Sequence, residues 1–185
     1  MTSRYEFGSF GHLAGRFFGA LLPFGPPAAD ERWVERQLLP GEWTLWTRMS
    51  GADRRHAVGV ARRTVTELGG DAAETVVRRE VVAAALLHDV GKIDSGFGTW
   101  SRAGVTFAGM AVGREKLVAW SEQGDRRWRR RVGSYLRHDQ IGADLLLQAG
   151  SDPFTVAWAG DHHRPPQDWT VDAALGEALK VADDD

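Results

Sequence analysis

The chain contains no cysteine. That absence removes disulfides, thiolate metal ligands and a cysteine nucleophile together, and it fits the cytoplasmic location expected here. No segment reaches the roughly 18–20 consecutive apolar residues that a membrane span requires. The nearest, GHLAGRFFGALLPFG at 11–25, is interrupted by His12 and Arg16. It reads as an amphipathic helix. As a signal peptide it is poor, because Arg4 and Glu6 precede it and no clear small-residue cleavage site follows. Charge of one sign is lacking too. The formal net charge is −2 with 26% charged residues, so there is no global basic footprint for nucleic acid. Nothing alternates with a strand period for long, and no internal repeat is evident.

What is present reads as helix almost throughout. At 185 residues the chain is long enough for one domain with a proper core. The expected organisation is an N-terminal helical extension, residues 1–49, packed on a main domain, residues 50–185. Eight tryptophans are many for this length, and Trp33, Trp43 and Trp46 are expected to dock the N-terminal part. Asp30 is placed to cap ERWVERQLL, with Pro40 closing it. A short helix covers 41–49. Between Arg54 and Leu68, apolar Val58, Ala61, Val65 and Leu68 recur at three and four residues, and Gly69-Gly70 ends the run. From Ala72 to Val90 there is neither Gly nor Pro. Val76, Val77, Val81, Val82, Leu86 and Leu87 wrap most of that circumference, which marks a buried helix. Gly91 is expected to end it in the left-handed conformation. A Gly-rich loop follows at 95–109, then helices within 111–122, 126–136, 138–149, 153–162 and 172–182. The expected fold class is all-α.

The central helix carries its apolar character straight into AAALLHDVGK, residues 83–92. His88 and Asp89 therefore sit at the inner end of a core helix, where an unpaired carboxylate costs several kcal/mol or protonates. An arginine beside Asp89 and a carbonyl beside His88 would satisfy those ten residues taken alone. The remaining histidines argue for more. Setting His12 aside, His56, His88, His138, His162 and His163 all fall in helices or at helix ends, and Asp183 closes an apolar stretch. Nitrogen and carboxylate donors in a chain without thiols suit Fe, Mn, Zn, Co or Ni rather than Ca.

His56, then His88-Asp89, then Asp183 resembles the H…HD…D signature of the HD superfamily of metal-dependent phosphohydrolases. The resemblance covers roughly 50–185, making that region an HD domain and the expected fold an HD-like helical bundle. In that family the first His, the HD pair and the last Asp hold a metal. RHDQIGADLL resembles the HPxIGAxIL segment, and DHHRPP the HH segment, of a subset with two ions. The resemblance thus implies His56, His88, Asp89, His138, His162 and Asp183 as metal ligands, with Asp89 bridging two divalent ions drawn from Fe, Mn, Co, Ni, Zn or Mg. His162 is favoured over His163 as the ligand.

The implied reaction is hydrolysis of a phosphodiester or phosphomonoester by metal-activated hydroxide, with a small substrate such as a nucleotide or a cyclic dinucleotide. Asp89 and Lys92 are the implied catalytic residues. Lys92, His163, Arg137 and Arg164 are the candidates for binding substrate. Lys92 departs from the HDxxE form of HD nucleotidases and alarmone hydrolases. HHRPPQDW replaces the HHE and GYP features of cyclic-di-GMP phosphodiesterases. A carboxylate for a third metal is absent, because position 52 is Ala. Two other functions stand beside hydrolysis: a sensory module that keeps its metal without turnover, and a di-iron oxygenase. The run GDRRWRRRV at 124–132 reads as a solvated face, so nucleic acid is not an expected partner. The sequence leaves a homo-oligomer open.

Overall fold

The computed structural model describes residues 24–69, 77–95, 116, 121 and 127–184, and all regular structure among them is helical. The α-helices are α1 (Ala28–Gln37), α2 (Pro40–Arg48), α3 (Gly51–Gly69), α4 (Arg79–Leu87), α5 (Arg127–Leu136), α6 (His138–Gln148), α7 (Pro153–Asp161) and α8 (Ala173–Asp184). Tight 3-10 turns occur at Val90–Ser95 and Pro166–Asp168.

Helix α4 is the axis because it has no face suited to water. Every residue from Val81 to Leu87 is apolar and buried. Ala83, Ala84 and Ala85 present only methyl groups, so neighbouring helices approach closely, while Leu86 and Leu87 supply bulk. Burying each leucine is worth about 1.5–3 kcal/mol. Helices α3 and α7 pack along α4, α8 lies on α3, and α6 lies on α7 and on the turn after α4.

The first helices join the same core through Trp33 and Trp46, both buried, and Trp43, partly buried against it. Polar ties fix their angles. Glu31 accepts from Trp46 Nε1 at 2.9 Å and from Arg54 at 2.8 Å, linking α1, α2 and α3. The fully buried Glu42 accepts from the Leu39 amide at 2.7 Å and from Arg79 at 3.0 Å.

Several local expectations are corrected. Asp30 is not a cap: α1 begins at Ala28, Pro27 holds the N-cap position, and Asp30 lies within the first turn. Pro40 does not close a helix but opens α2, where its missing N–H costs nothing. Helix α3 begins at Gly51 rather than Arg54. The central helix does not run unbroken from Ala72. Arg78 is extended (φ −60°, ψ 137°), and α4 starts at Arg79, whose guanidinium is held by Glu42. Gly91 is not left-handed, since Gly150 (φ 75°) is the one glycine of positive φ among the described residues. The chain leaves α4 through helical His88 and tightens into a 3-10 turn, with the Lys92 amide donating to Asp89 O at 3.0 Å. Gly91 is needed there for a different reason, close backbone approach.

The expected helix at 11–25, as far as residue 23, and most of the 95–109 loop and the 111–122 helix lie outside the described residues. So do the arginine side chains of 126–130.

Candidate metal centre

The site lies where four helix ends meet the flank of α3. His88 and Asp89 follow α4, His138 opens α6, His162 and His163 follow α7, Asp183 ends α8, and His56 lies on α3. Three of the histidines are oriented by one device. The last carbonyls of a helix have no partner within it. His88 Nδ1 donates to Ala85 O at 2.9 Å, His138 Nδ1 to Tyr135 O at 2.7 Å and His162 Nδ1 to Ala159 O at 2.9 Å. Each ring thus caps the helix end three residues back. A carbonyl only accepts, so Nδ1 carries the hydrogen and Nε2 is the atom presented to the site.

All three Nε2 atoms converge on Asp89. Its Oδ1 lies 3.3 Å from His138 and 3.8 Å from His162, and its Oδ2 lies 3.5 Å from His88. Beyond His88, Asp183 Oδ1 lies 3.6 Å from His88 Nε2 and 3.0 Å from His56 Nε2. On the other flank His163 Nε2 is 3.1 Å from His138 Nε2. Two donor sets result: Asp89, His138, His162 and His163, and His56, His88 and Asp183. Within each, the donor atoms lie within 4.8 Å of one another. One oxygen of Asp89 faces each set.

These residues fit a metal. Donors about 2.1 Å from one ion, subtending 90–110°, lie about 3.0–3.4 Å apart. Three of the separations, 3.0, 3.1 and 3.3 Å, fall within that range, and those of 3.5, 3.6 and 3.8 Å around His88 and His162 lie just beyond it and are too long for good hydrogen bonds. His162 Nε2 is the sharpest observation: it is buried and makes no hydrogen bond, although its ring is fixed from the other side. Burying such a lone pair is costly unless something binds it.

Charge agrees. Burial, with positive His88 next, pushes His162 down to about 3, so its Nε2 keeps the lone pair a metal needs. Burial opposes charging His88, but Asp89 and then Asp183 outweigh it and raise its pKa to about 9. Burial also opposes ionising Asp89, yet Lys92 and His88 hold it well below the usual carboxylate range. Asp183 is likewise lowered against burial, by His88 and by its bond to His56.

The other candidate residues are placed differently from one another. Lys92 Nζ pairs with Asp89 Oδ2. Its pKa is raised, because Asp89 outweighs the cost of burial. His163, although exposed, stands within the donor set that the sequence reading gave to His162 alone. Arg137 is exposed at the junction of α5 and α6, its guanidinium against Gly133 one turn back. Arg164 turns to Asp161 at 3.2 Å.

Asp161 is the residue that sequence reasoning missed. It is buried beside His162, and its Oδ2 accepts from Thr170 N at 2.6 Å and Thr170 Oγ1 at 2.7 Å. Trp169 Nε1 donates to Arg164 O at 2.9 Å, closing the same loop. This clasp fixes the chain around the two histidines. The one local signal was a carboxylate at a helix end directly before them.

The family model described as Cas3, HD domain, matches residues 43–182, well over half of the chain. No curated protein and no solved structure matches significantly. The matched region holds six of the seven donor residues, from His56 on α3 to His163 after α7, and ends one residue before Asp183. With the HD pair at its centre and an all-helical fold around it, the chain belongs to the Cas3 HD-domain family of the HD superfamily.

Proposed function

We propose that the protein is a metal-dependent phosphohydrolase that holds two divalent ions, one in each donor set, with Asp89 between them. The observation that carries this reading is the buried, unbonded Nε2 of His162, aimed at Asp89 by a ring locked from behind. Ions bound there would supply hydroxide at neutral pH and neutralise phosphate oxygens.

The residues divide the work. His56, His88 and Asp183 hold one ion; His138, His162 and His163 hold the other. Only two carboxylates, Asp89 and Asp183, stand among these donors. Two divalent ions would therefore leave an excess of positive charge, which selects an anionic substrate. Lys92, displaced from Asp89 when ions take over the carboxylate, becomes a point charge for a phosphate oxygen. Arg137, solvent-exposed beside His138, is the arginine better placed to extend that positive surface. Arg164 keeps the histidine loop closed through Asp161.

The test combines metal analysis of aerobically and anaerobically prepared protein with a substrate panel. The panel holds aryl phosphomonoesters and phosphodiesters, nucleotides, cyclic dinucleotides and single-stranded oligonucleotides. Manganese-dependent hydrolysis abolished by Asp89→Asn is the expected result. Redox-active iron with oxygen uptake would assign an oxygenase instead. Metal binding with no turnover of any member would assign a sensory module.

A further inference from the structure

Gly91 and Gly142 meet where the turn after α4 crosses the first turn of α6. A Cβ on Gly91 would overlap the His138 carbonyl oxygen and lie 2.6 Å from Gly142 N and 2.8 Å from His138 C. A Cβ on Gly142 would lie 3.2 Å from Gly91 N and 3.4 Å from Val90 Cγ1. Two backbones thus touch with no side chain between them, and the peptide groups touched belong to His138 and the residue one helical turn on. Glycine is not demanded by torsion here, since neither residue has positive φ. It is demanded by distance.

That distance decides what His138 can reach. His138 Nδ1 is fixed on Tyr135 O, so its ring moves with the helix junction, and its Nε2 stands 3.3 Å from Asp89 Oδ1. Metal coordination tolerates errors of only about 0.2 Å. Adding a methyl group at this crossing pushes α6 from the turn by more than that, unless the neighbours give way. The other set does not feel the same displacement directly: His56, His88 and Asp183 stand on α3, the end of α4 and α8, and none stands on α6.

We propose that Gly91 and Gly142 are a spacer pair that sets the reach of His138 to Asp89, and so assembles the half of the centre containing His138 separately from the half containing His56. The proposal rests on the metal reading above and adds what determines its second half. These are positioning residues, acting through His138. Helix propensity makes the claim sharper, since alanine is the better helix former and should stiffen α6 at position 142. Weaker metal binding in a folded Gly142→Ala chain then reports spacing and not a loosened helix.

The experiment is a cobalt(II) titration of the full chain, read by visible absorption and by bound metal per chain, with circular dichroism as the check on folding. The wild-type chain is expected to bind two equivalents. Gly142→Ala should bind one equivalent with unchanged affinity and weaken the other by about ten- to a hundredfold. Its spectrum should then match that of His138→Ala. Gly91→Ala, the more severe overlap, should lose the second equivalent outright. Gly41→Ala is the control. Its Cβ would overlap the Ala149 carbonyl at the opposite end of α6, so it strains the same helix but should leave both equivalents in place. Full binding by Gly142→Ala, or equal weakening of both equivalents, overturns the spacer role. Loss of the same equivalent in Gly41→Ala overturns it as well. Fewer than two equivalents on the wild-type chain overturns the metal reading on which it rests.

Discussion

Replacing Lys92 by alanine should act in opposite directions on the metal-free and the metal-loaded protein. In the metal-free chain Lys92 Nζ sits on Asp89 Oδ2, with the two side chains 19% and 7% exposed. Breaking a buried ion pair by removing one partner costs about 3–5 kcal/mol. Here the cost is smaller, because positive His88 still faces Asp89 at 3.5 Å and Lys92 is not fully buried. About 1.5–3 kcal/mol is a reasonable expectation, equivalent to a fall in Tm of about 3–12 °C for a chain of this size. Once ions occupy the site they replace the lysine as counter-charge to Asp89, and that penalty should largely disappear. Metal affinity should rise, since the ammonium no longer competes for Oδ2. Turnover should move the other way. Loss of one charge-assisted contact to a phosphate oxygen costs about 1.5–3 kcal/mol, about ten- to a hundredfold in rate. Thermal unfolding with and without manganese, metal titration and kcat on the best phosphoester provide the readouts. An unchanged metal-free Tm would mean that the pair does not hold the charge of Asp89. Full activity would remove Lys92 from the mechanism, whatever its effect on stability.

Three further outcomes are expected. His138→Ala should lower metal content by about one ion per chain while the His56, His88 and Asp183 set keeps its own, as read by elemental analysis; an unchanged ratio refutes the second ion. Metal affinity should climb with pH up to about 9, because an ion must displace the proton on His88. In the metal-free chain the sign is reversed. The folded pKa of His88 is raised, so its protonated pairing stabilises fully below about 6.5 and is lost as pH rises through about 9. Denaturant midpoints across that window, with and without metal, should diverge; parallel curves would contradict the assignment. Asp161→Asn removes the charge that holds Arg164 and weakens both bonds from Thr170. It should cost about 1.5–3 kcal/mol and weaken metal binding at His162 and His163 without touching the first set.

The helical class and the chain order of the donors were legible in the residues alone. Helical periodicity is a local property, legible between Val58 and Leu68 and across Val81 to Leu87 without any partner. Histidines beside helix ends are legible for the same reason, and His56, His88-Asp89, His138, His162-His163 and Asp183 are all brought together by the fold. Local detail was less secure wherever a distant contact decided it. The start of α4 at Arg79 depends on buried Glu42, and the opening of α2 by Pro40 on how two short helices dock. Tertiary structure alone decided the rest. A glycine after a helix reads locally as a left-handed stop, yet Gly91 lacks a side chain because the backbone of His138 lies against it. Arg164 is expected to bind substrate, yet buried Asp161 takes it. Lys92 is expected to meet substrate, yet it stands on the carboxylate at the centre of the site. In each case the deciding partner comes from packing or from the shape of a turn, and residue spacing carries no record of the distance at which two backbones meet.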